Sequence, residues 1–399
     1  MATISQRLLK TPRFKSDESF MGYILRLAEE NGHSTPQWII NLAKFNNLLP
    51  NCSFTSTSSE SFKLLASLSG STVSELEEIT YPPVGIPSYN FHLFFGVPVH
   101  RSFIQPRHPK ICPECLREAA YCRRVWEFVL ITACPVHKCM LLDECPNCKL
   151  PIKSGRSCVS GCPCKFDWRE AAVSTAQDHE VSLARVIHWL CGLSQGEERH
   201  YFSQKNPAFK LSLQDFAYAV IFMAGQLRGL SLTTIWPLLS IVNVKDFHHL
   251  FTGAYYIFDA WPKHFYEFLD WWCANKRAAN TGYQRLHSVL YKDFGKLYTG
   301  LYKKLYDSQF DFIRDAFVDY LNNRWEGCDL SSFALNKETG DFKVKYVSKS
   351  DVRRLLDADD EWINHSIQMG TLKTKVRSKG MKRLIFIDIV DIAKLMRNC

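Results

Sequence analysis

The chain has 399 residues, of which 46% are hydrophobic, and this is enough for the cores of two or three domains and excludes a largely disordered protein. The formal net charge is +9 at pH 7, a moderately basic value that favours a polyanionic partner. The N-terminal residues lack the apolar segment of a secretion signal, and no apolar run reaches the roughly 18 residues of a membrane span. We therefore expect a cytoplasmic protein that does not enter a membrane.

Residues 1–105 predict an N-terminal domain of short helices. The apolar face of the first helix consists of Phe20, Ile24, Leu27 and Ala28. Gly32 is placed to end this helix, and Pro36 to begin a second one. In the second helix we expect Trp38, Leu42 and Phe45 to face the core. Two helices joined by a short turn are typical of a helix-turn-helix, although a plain helical hairpin has the same pattern.

Ten of the fifteen cysteines lie between residues 112 and 164, and most of them occur in closely spaced pairs. The first two pairs, C-x-x-C and C-x-x-H, are formed by Cys112, Cys115, Cys134 and His137. The next two pairs, C-x-x-C and C-x-C, are formed by Cys145, Cys148, Cys162 and Cys164. Two facing pairs supply the four ligands of a tetrahedral Zn²⁺ site, so residues 106–170 predict two such sites in tandem. Cys158 is an alternative to Cys162 or Cys164 as a ligand of the second site.

The chemistry expected of these two zinc ions is structural. Each ion has four candidate protein ligands, whereas a catalytic zinc keeps a position open for water. The sequence also lacks the H-E-x-x-H motif of metalloproteases, a P-loop and the G-x-S-x-G motif of hydrolases. Disulfide bonds are the other use of dense cysteines, but they need an oxidising compartment that nothing here indicates. We expect a protein without enzymatic activity.

Residues 171–340 predict a helical domain in which aromatic residues recur at helical spacing and belong mostly to the core. One part of it interleaves basic residues with tyrosines. Its candidate nucleic-acid contacts are Arg285, Lys292, Lys296, Lys303 and Lys304. A solvated basic helix face is the alternative interpretation, and the pattern does not separate the two.

Residues 341–399 predict a helix, a turn, a second helix, a hairpin and a short last helix. Residues 342–399 carry 13 Lys and Arg against 7 Asp and Glu. The basic residues of the hairpin are Lys373, Lys375, Arg377, Lys379, Lys382 and Arg383. This order is typical of a winged helix-turn-helix whose basic wing contacts DNA phosphates, and a small protein-docking domain is the alternative. The predicted fold class is thus mainly α, with tandem zinc modules between helical parts.

Four segments of the chain resemble the TniQ/TnsD family, the target-selection proteins of heteromeric cut-and-paste DNA transposons. SDESFMGYILRLAEENGHS is similar to the family's E-S-x-x-S-x-L-x-R-x-A-x-x-N-G opening. ICPECL, Trp126 and ACPVHKCML resemble its C-P-x-C-L … W … C-x-x-H-x-x-x-L segment. DECPNCKLPI through CPCKFDW resembles its second zinc module, with Lys165 where a glycine is usual. DAWPKHFYEFL resembles its W-P-x-x-F signature, at Trp261, Pro262 and Phe265.

The resemblance implies an adaptor that tells a bacterial transposition machinery where to insert. Such proteins engage a AAA+ ATPase regulator, which recruits the transposase. Some bind an attachment site in DNA directly, and others dock on a CRISPR effector complex with its guide RNA and can be homodimers. A zinc-containing winged-helix transcriptional regulator is the alternative function. It would account for residues 112–164 and 342–399 but not for the long helical middle of the chain.

Overall fold

The computed structural model describes residues 7–45, 59–85, 90–194, 206–241, 243–279, 289–325, 346–379, 382–388, 391–392 and 395. Two compact units divide the chain, Met1–Asp259 and Ala260–Cys399. The boundary between them falls inside the predicted helical domain of residues 171–340. The finer division into domains at residues 105, 170 and 340 stays a prediction. The described part is mainly helical, which confirms the predicted fold class.

The first unit combines helices with two small sheets. Its helices are α1 (Phe20–Glu30), α2 (Gln37–Leu42), α3 (Ser59–Ser69), α4 (Val73–Glu78), α5 (Pro113–Glu118), α6 (Asp178–Leu190), α7 (Leu213–Arg228), α8 (Leu232–Leu238) and α9 (Val244–Asp259). Its strands are β1 (Pro83–Val84), β2 (Phe91–Phe94), β3 (Val97–His100), β4 (Ala133–Cys134) and β5 (Cys139–Met140). The first three form one antiparallel sheet in sequence order, and β4 pairs with β5.

The helix α1 forms as its sequence predicts. The Ser19 side chain accepts the backbone N–H of Gly22 at 3.1 Å, which satisfies one free donor at the start of the helix. At the other end Gly32 has a φ of +77°, the left-handed conformation that ends many helices. All four residues of the predicted apolar face are buried.

The prediction for the inner face of α2 is wrong at two of its three residues. Trp38 and Leu42 are 40% and 38% exposed, whereas Ile39 and Ile40 are buried. The short helix turns its isoleucines to the core, and the Trp38 ring stacks on His33 with 3.7 Å between ring centroids. Phe45 is buried as expected.

The loop after α5 fastens α1 to the cysteine-rich segment. Ser19 donates its backbone N–H to the carbonyl of Cys122 at 2.8 Å, and Arg124 donates its own to the carbonyl of Asp17 at 2.6 Å. The Asp17 carboxylate also accepts Tyr121 Oη–H and Arg123 Nη1–H, each at 2.8 Å. The N-terminal helices and the first cysteine pairs are therefore parts of one packed structure.

The second unit begins with helices and ends with a mixed helical and stranded element. Its elements are α10 (Lys263–Ala279), α11 (Val289–Lys303), α12 (Asp311–Asn323), β6 (Tyr346–Ser348), α13 (Lys349–Leu356), α14 (Asp360–Gln368), β7 (Thr374–Lys379) and β8 (Lys382–Asp388). Buried Asp293 of α11 joins the helices, because its backbone carbonyl accepts Trp272 Nε1–H at 3.0 Å and its carboxylate accepts Trp325 Nε1–H at 2.9 Å.

The last element has the predicted order of two helices followed by a hairpin. β8 lies between β6 and β7 and is antiparallel to both. Its core consists of Val352, Ile363, Leu372, Ile387 and Ile392. The short strand β6 was not anticipated from the sequence. The order of elements agrees with a winged helix-turn-helix, and that assignment stays a prediction.

Candidate metal centres

The first predicted ligand set converges on one point. Cys112 caps the start of α5, and its Sγ accepts the backbone N–H of Cys115 at 3.4 Å. Cys134 ends β4, and His137 lies in the turn between β4 and β5. His137 Nδ1 is 3.6 Å from Cys112 Sγ, 3.3 Å from Cys115 Sγ and 3.5 Å from Cys134 Sγ. Ligand atoms of a tetrahedral zinc site with bonds of about 2.0–2.3 Å have separations of roughly this size.

The partners around this first cluster suit a bound cation. Glu118 on α5 holds the outer nitrogen of His137, with 2.9 Å between Oε1 and Nε2, so that Nδ1 faces the three sulfurs. A carboxylate behind a histidine ligand is the usual means of fixing its orientation and raising its basicity. Hydrogen bonding from Cys115 and Cys134 lowers the pKa of the Cys112 thiol, and the same contacts with Cys112 raise the pKa of Cys115 and of Cys134, so that without a metal Cys112 is the thiolate of the group.

A fourth sulfur lies beside the first cluster. Cys139 Sγ is 3.6 Å from Cys112 Sγ, and the Cys139 side chain is buried. Cys139 is not one of the ligands predicted from the sequence. Its place follows from the pairing of β4 with β5, which sets Cys139 opposite Cys134.

The second predicted ligand set also converges. Cys145 Sγ is 3.7 Å from Cys164 Sγ, and Cys148 Sγ is 3.6 Å from Cys162 Sγ. These four sulfurs form a group that could hold one metal ion, and Cys158 is not a member of that group. The sequence left Cys158 open as a replacement for Cys162 or Cys164. The structure brings Cys162 and Cys164 together with Cys145 and Cys148.

The environment of Cys164 favours a thiolate in this second cluster. The Asn147 side chain donates to its Sγ at 3.5 Å. This hydrogen bond, followed by one from the backbone of Phe166, lowers the pKa of the Cys164 thiol to about 6.

The turn after each of three ligand pairs uses the left-handed backbone conformation. Lys138, Lys149 and Lys165 directly follow His137, Cys148 and Cys164 and have φ values of +47°, +60° and +71°. Glycine adopts this conformation without steric cost, which explains why a glycine is usual at the position of Lys165. Lys165 takes it nevertheless, and its backbone N–H still reaches the carbonyl of Cys162 at 2.8 Å.

The predicted nucleic-acid residues are only partly within the described structure. Lys296, Lys303 and Lys304 are exposed along and just after α11, and Lys373 is exposed at the start of the hairpin. Arg285 and the Lys292 side chain lie outside the described residues. The remaining hairpin residues are placed by backbone alone in β7 and β8: Lys375, Arg377, Lys379, Lys382 and Arg383. Because Lys379 pairs with Lys382 and Ser378 with Arg383, the basic positions converge at the tip of the hairpin.

A basic cavity in the first unit was not assigned from the sequence. It has a volume of about 510 Å³, and its lining includes Arg101, Gln105, Arg107, His108 and Trp236. Burial, and then the nearby charges of Lys153 and Arg107, lower the pKa of His108. The basic run HRSFIQPRHPK is the sequence feature that could have indicated this cavity. Its aromatic residue, Trp236, comes from α8, which is distant in sequence.

The residues of the opening motif build and fasten α1. Arg26 donates from Nε to Glu18 Oε1 at 2.9 Å and from Nη2 to Glu18 Oε2 at 2.7 Å, and this carboxylate is fully buried. Asn31 exchanges hydrogen bonds with the backbone of Lys10 at 2.8 and 3.0 Å. The W-P-x-x-F signature is likewise structural, since the Trp261 ring lies 4.9 Å from Phe265 and 5.1 Å from Phe312.

Comparison with known proteins identifies a family whose matched region includes α1 and the first cluster. Residues 9–141 match the model of the TniQ family. No curated protein shows significant similarity to the chain. The matched range begins before α1 and ends after β5, so it contains the opening motif and all four ligands of the first cluster. Residues 9–141, in which the helical opening packs onto a Cys₃His cluster, thus form a region similar to the TniQ family.

Proposed function

We propose that this protein selects the target site for a cut-and-paste DNA transposon. In this role it links recognition of the target to recruitment of a AAA+ ATPase regulator and, through it, of the transposase. The match of residues 9–141 to the TniQ model is the observation that carries the proposal. Its action takes place on DNA in the bacterial cytoplasm. Among the described residues, no helix is both long and apolar enough to cross a membrane.

The proposed role of the two clusters is to hold structural Zn²⁺. Each group offers four protein ligands, three thiolates and an imidazole in one and four thiolates in the other, and this donor set suits zinc. With four ligands neither of these two ions keeps a position for water, which suits a structural role. The protein we propose is an adaptor without enzymatic activity. Its zinc ions keep the segment between α5 and α6 folded, and α1 packs on that segment.

The proposed DNA contacts are the basic positions of α11 and the hairpin. Lysine and arginine side chains neutralise phosphates, and the hairpin brings such residues together on adjacent strands. Their basic charge would equally suit a CRISPR effector complex with its guide RNA, on which a homodimer of this chain would dock. We favour direct DNA binding, because the basic hairpin follows a helix pair in the order of a DNA-binding winged domain.

The test of direct binding uses the purified full chain and DNA of the transposon's insertion locus. A footprint on one site without any RNA complex is the expected result, and a footprint that needs the guide-RNA complex would overturn direct binding. The observed binding constant should fall with salt concentration, because each neutralised phosphate releases counterions.

Charge neutralisation tests the hairpin itself. Lys373→Gln, Lys375→Gln and Arg377→Gln together should weaken DNA binding and lower the slope of log K against log salt by about three, at about 0.9 per phosphate contact. A charge-matched control carries Lys10→Gln, Lys63→Gln and Lys245→Gln, three exposed positions of the first unit. Equal loss of affinity in the two variants would refute a specific role for the hairpin.

A further inference from the structure

A third group of metal-binding side chains lies where α6 meets α9. Glu180 of α6 and the adjacent His248 and His249 of α9 each offer one ligand atom, and these atoms all lie within 4.8 Å of one another. Glu180 Oε1 is 3.5 Å from His248 Nε2 and 3.9 Å from His249 Nδ1. All three residues belong to the first unit, in which α9 packs against α6.

His248 is oriented as a metal ligand is. Its side chain is 2% exposed, and its Nδ1 lies 2.9 Å from the hydroxyl of buried Thr132. Its Nε2 is enclosed and faces the Glu180 carboxylate at 3.5 Å, which is long for a hydrogen bond. A metal ion bound by this nitrogen and the carboxylate would satisfy both groups better than so long a contact does.

Glu180 is also held by a neighbour that leaves one oxygen available. Its Oε2 accepts the backbone N–H of Gln177 at 2.7 Å, in the capping box at the start of α6. This hydrogen bond lowers the pKa of Glu180, and burial lowers the pKa of His248. At neutral pH the two residues thus favour the forms in which a metal binds them, a carboxylate and a neutral imidazole.

We propose that Glu180, His248 and His249 bind a third divalent metal ion of the Zn²⁺ class, separate from the two cysteine-rich clusters. Two imidazole nitrogens and one carboxylate oxygen are a donor set that Zn²⁺, Co²⁺ and Ni²⁺ accept. Thr132 and Gln177 are the partners that fix the first two ligands. Because His249 is 83% exposed, the ion enters from solvent and keeps a position open for water or for a group of a partner. Bound there, it links α6 to α9.

The test is a Co²⁺ titration of the full chain whose cysteine clusters are already loaded with Zn²⁺. Thiolate sites keep their zinc, since Co²⁺ binds such ligands more weakly than Zn²⁺ does. We expect a saturable visible d–d absorption at one equivalent of Co²⁺, without the near-ultraviolet charge-transfer band that thiolate ligands produce. The missing charge-transfer band distinguishes this site from the cysteine clusters.

Variants decide whether the absorption comes from the proposed residues. His249→Ala, at an exposed position, and Glu180→Gln should each weaken Co²⁺ binding about tenfold or more. His179→Ala is the matched control, an exposed histidine of α6 outside the group, and should leave the affinity unchanged. Circular dichroism checks that each variant is folded. The absence of saturable binding, or equal affinity in wild type and His249→Ala, would overturn the site and leave Glu180 and His248 as a simple hydrogen-bonded pair.

Discussion

Single residues behind the metal ligands decide how well the first cluster is prepared for an ion. Glu118 is not one of the four ligands of the group, yet its carboxylate sets the direction of the His137 ring. An unsupported histidine has to lose the freedom of its side chain on binding, whereas a supported one already faces the sulfurs.

Replacing Glu118 should therefore weaken metal binding. We expect Glu118→Ala to lower the Zn²⁺ affinity of the first cluster about tenfold to a hundredfold, the usual effect of removing such a partner. Competition against a chromophoric chelator measures the affinity. Glu114→Ala is the control, because Glu114 is on the same helix but pairs with Arg117 instead. Similar affinities for both variants would show that Glu118 does not support the ligand.

At the scale of one element, α1 is distinguished by how closely another segment approaches it. A Cβ built on Gly22 would lie 2.6 Å from Cys122 Cβ and 2.8 Å from Ser19 Oγ, both far inside contact distance. Gly22 occupies the position where the family opening has its second serine, so here glycine makes room for Cys122. The helix tolerates glycine near its N-terminus because Ser19 caps it and Glu18 and Arg26 fasten it.

Substitution of this glycine should destabilise the first unit. Gly22→Ala gains helix propensity of about 1 kcal/mol, but forcing a methyl group into a filled space costs typically 1–3 kcal/mol, so we expect a lower melting temperature. Gly253→Ala in α9 is the matched control. Its Cβ would meet only Leu227 Cδ1, at an ordinary 3.7 Å, and its melting temperature should stay level or rise. Calorimetry of both variants measures the difference, and an unchanged Gly22→Ala would contradict the close approach.

At the scale of the first unit, the cysteine-rich segment contacts helices that precede it and follow it in the sequence, α1 and α9. Val159 donates its backbone N–H to Glu29 of α1 at 2.8 Å. Asp143 accepts the first N–H of α9, that of Val244, at 2.6 Å. The amino group of Lys110 is buried here too and donates to the carbonyl of Phe128 at 2.9 Å. The conformation of this segment thus bears on helices well outside it.

Metal removal should accordingly loosen more than the clusters themselves. Binding of a structural metal contributes folding free energy, so a strong chelator should abolish hydrogen-exchange protection across residues 112–164 and reduce it in α1 and at the start of α9. Hydrogen-exchange mass spectrometry follows this, and native mass spectrometry should count two tightly held ions before treatment. Re-addition of Zn²⁺ is the control and should restore protection. Unchanged protection in α1 would show that the helices fold independently of the metal.

The sequence by itself determined the features that depend on neighbours along the chain. A metal knuckle is made by residues two or three positions apart, so the spacing of cysteines identified both ligand sets that the structure brings together. Helix periodicity and capping likewise predicted α1 and the order of elements at the C-terminal end. These are local interactions, and their residues appear in the sequence side by side.

Only the tertiary structure decided the features that depend on residues distant in sequence. Whether Trp38 faces the core, and whether Cys158 joins the second cluster, depends on which face a segment turns toward its packing partner. Glu180 and His248 are far apart in the sequence, and only the packing of α9 on α6 brings Glu180 Oε1 within 3.5 Å of His248 Nε2. Burial and proximity of this kind are properties of the folded chain, and no local pattern encodes them.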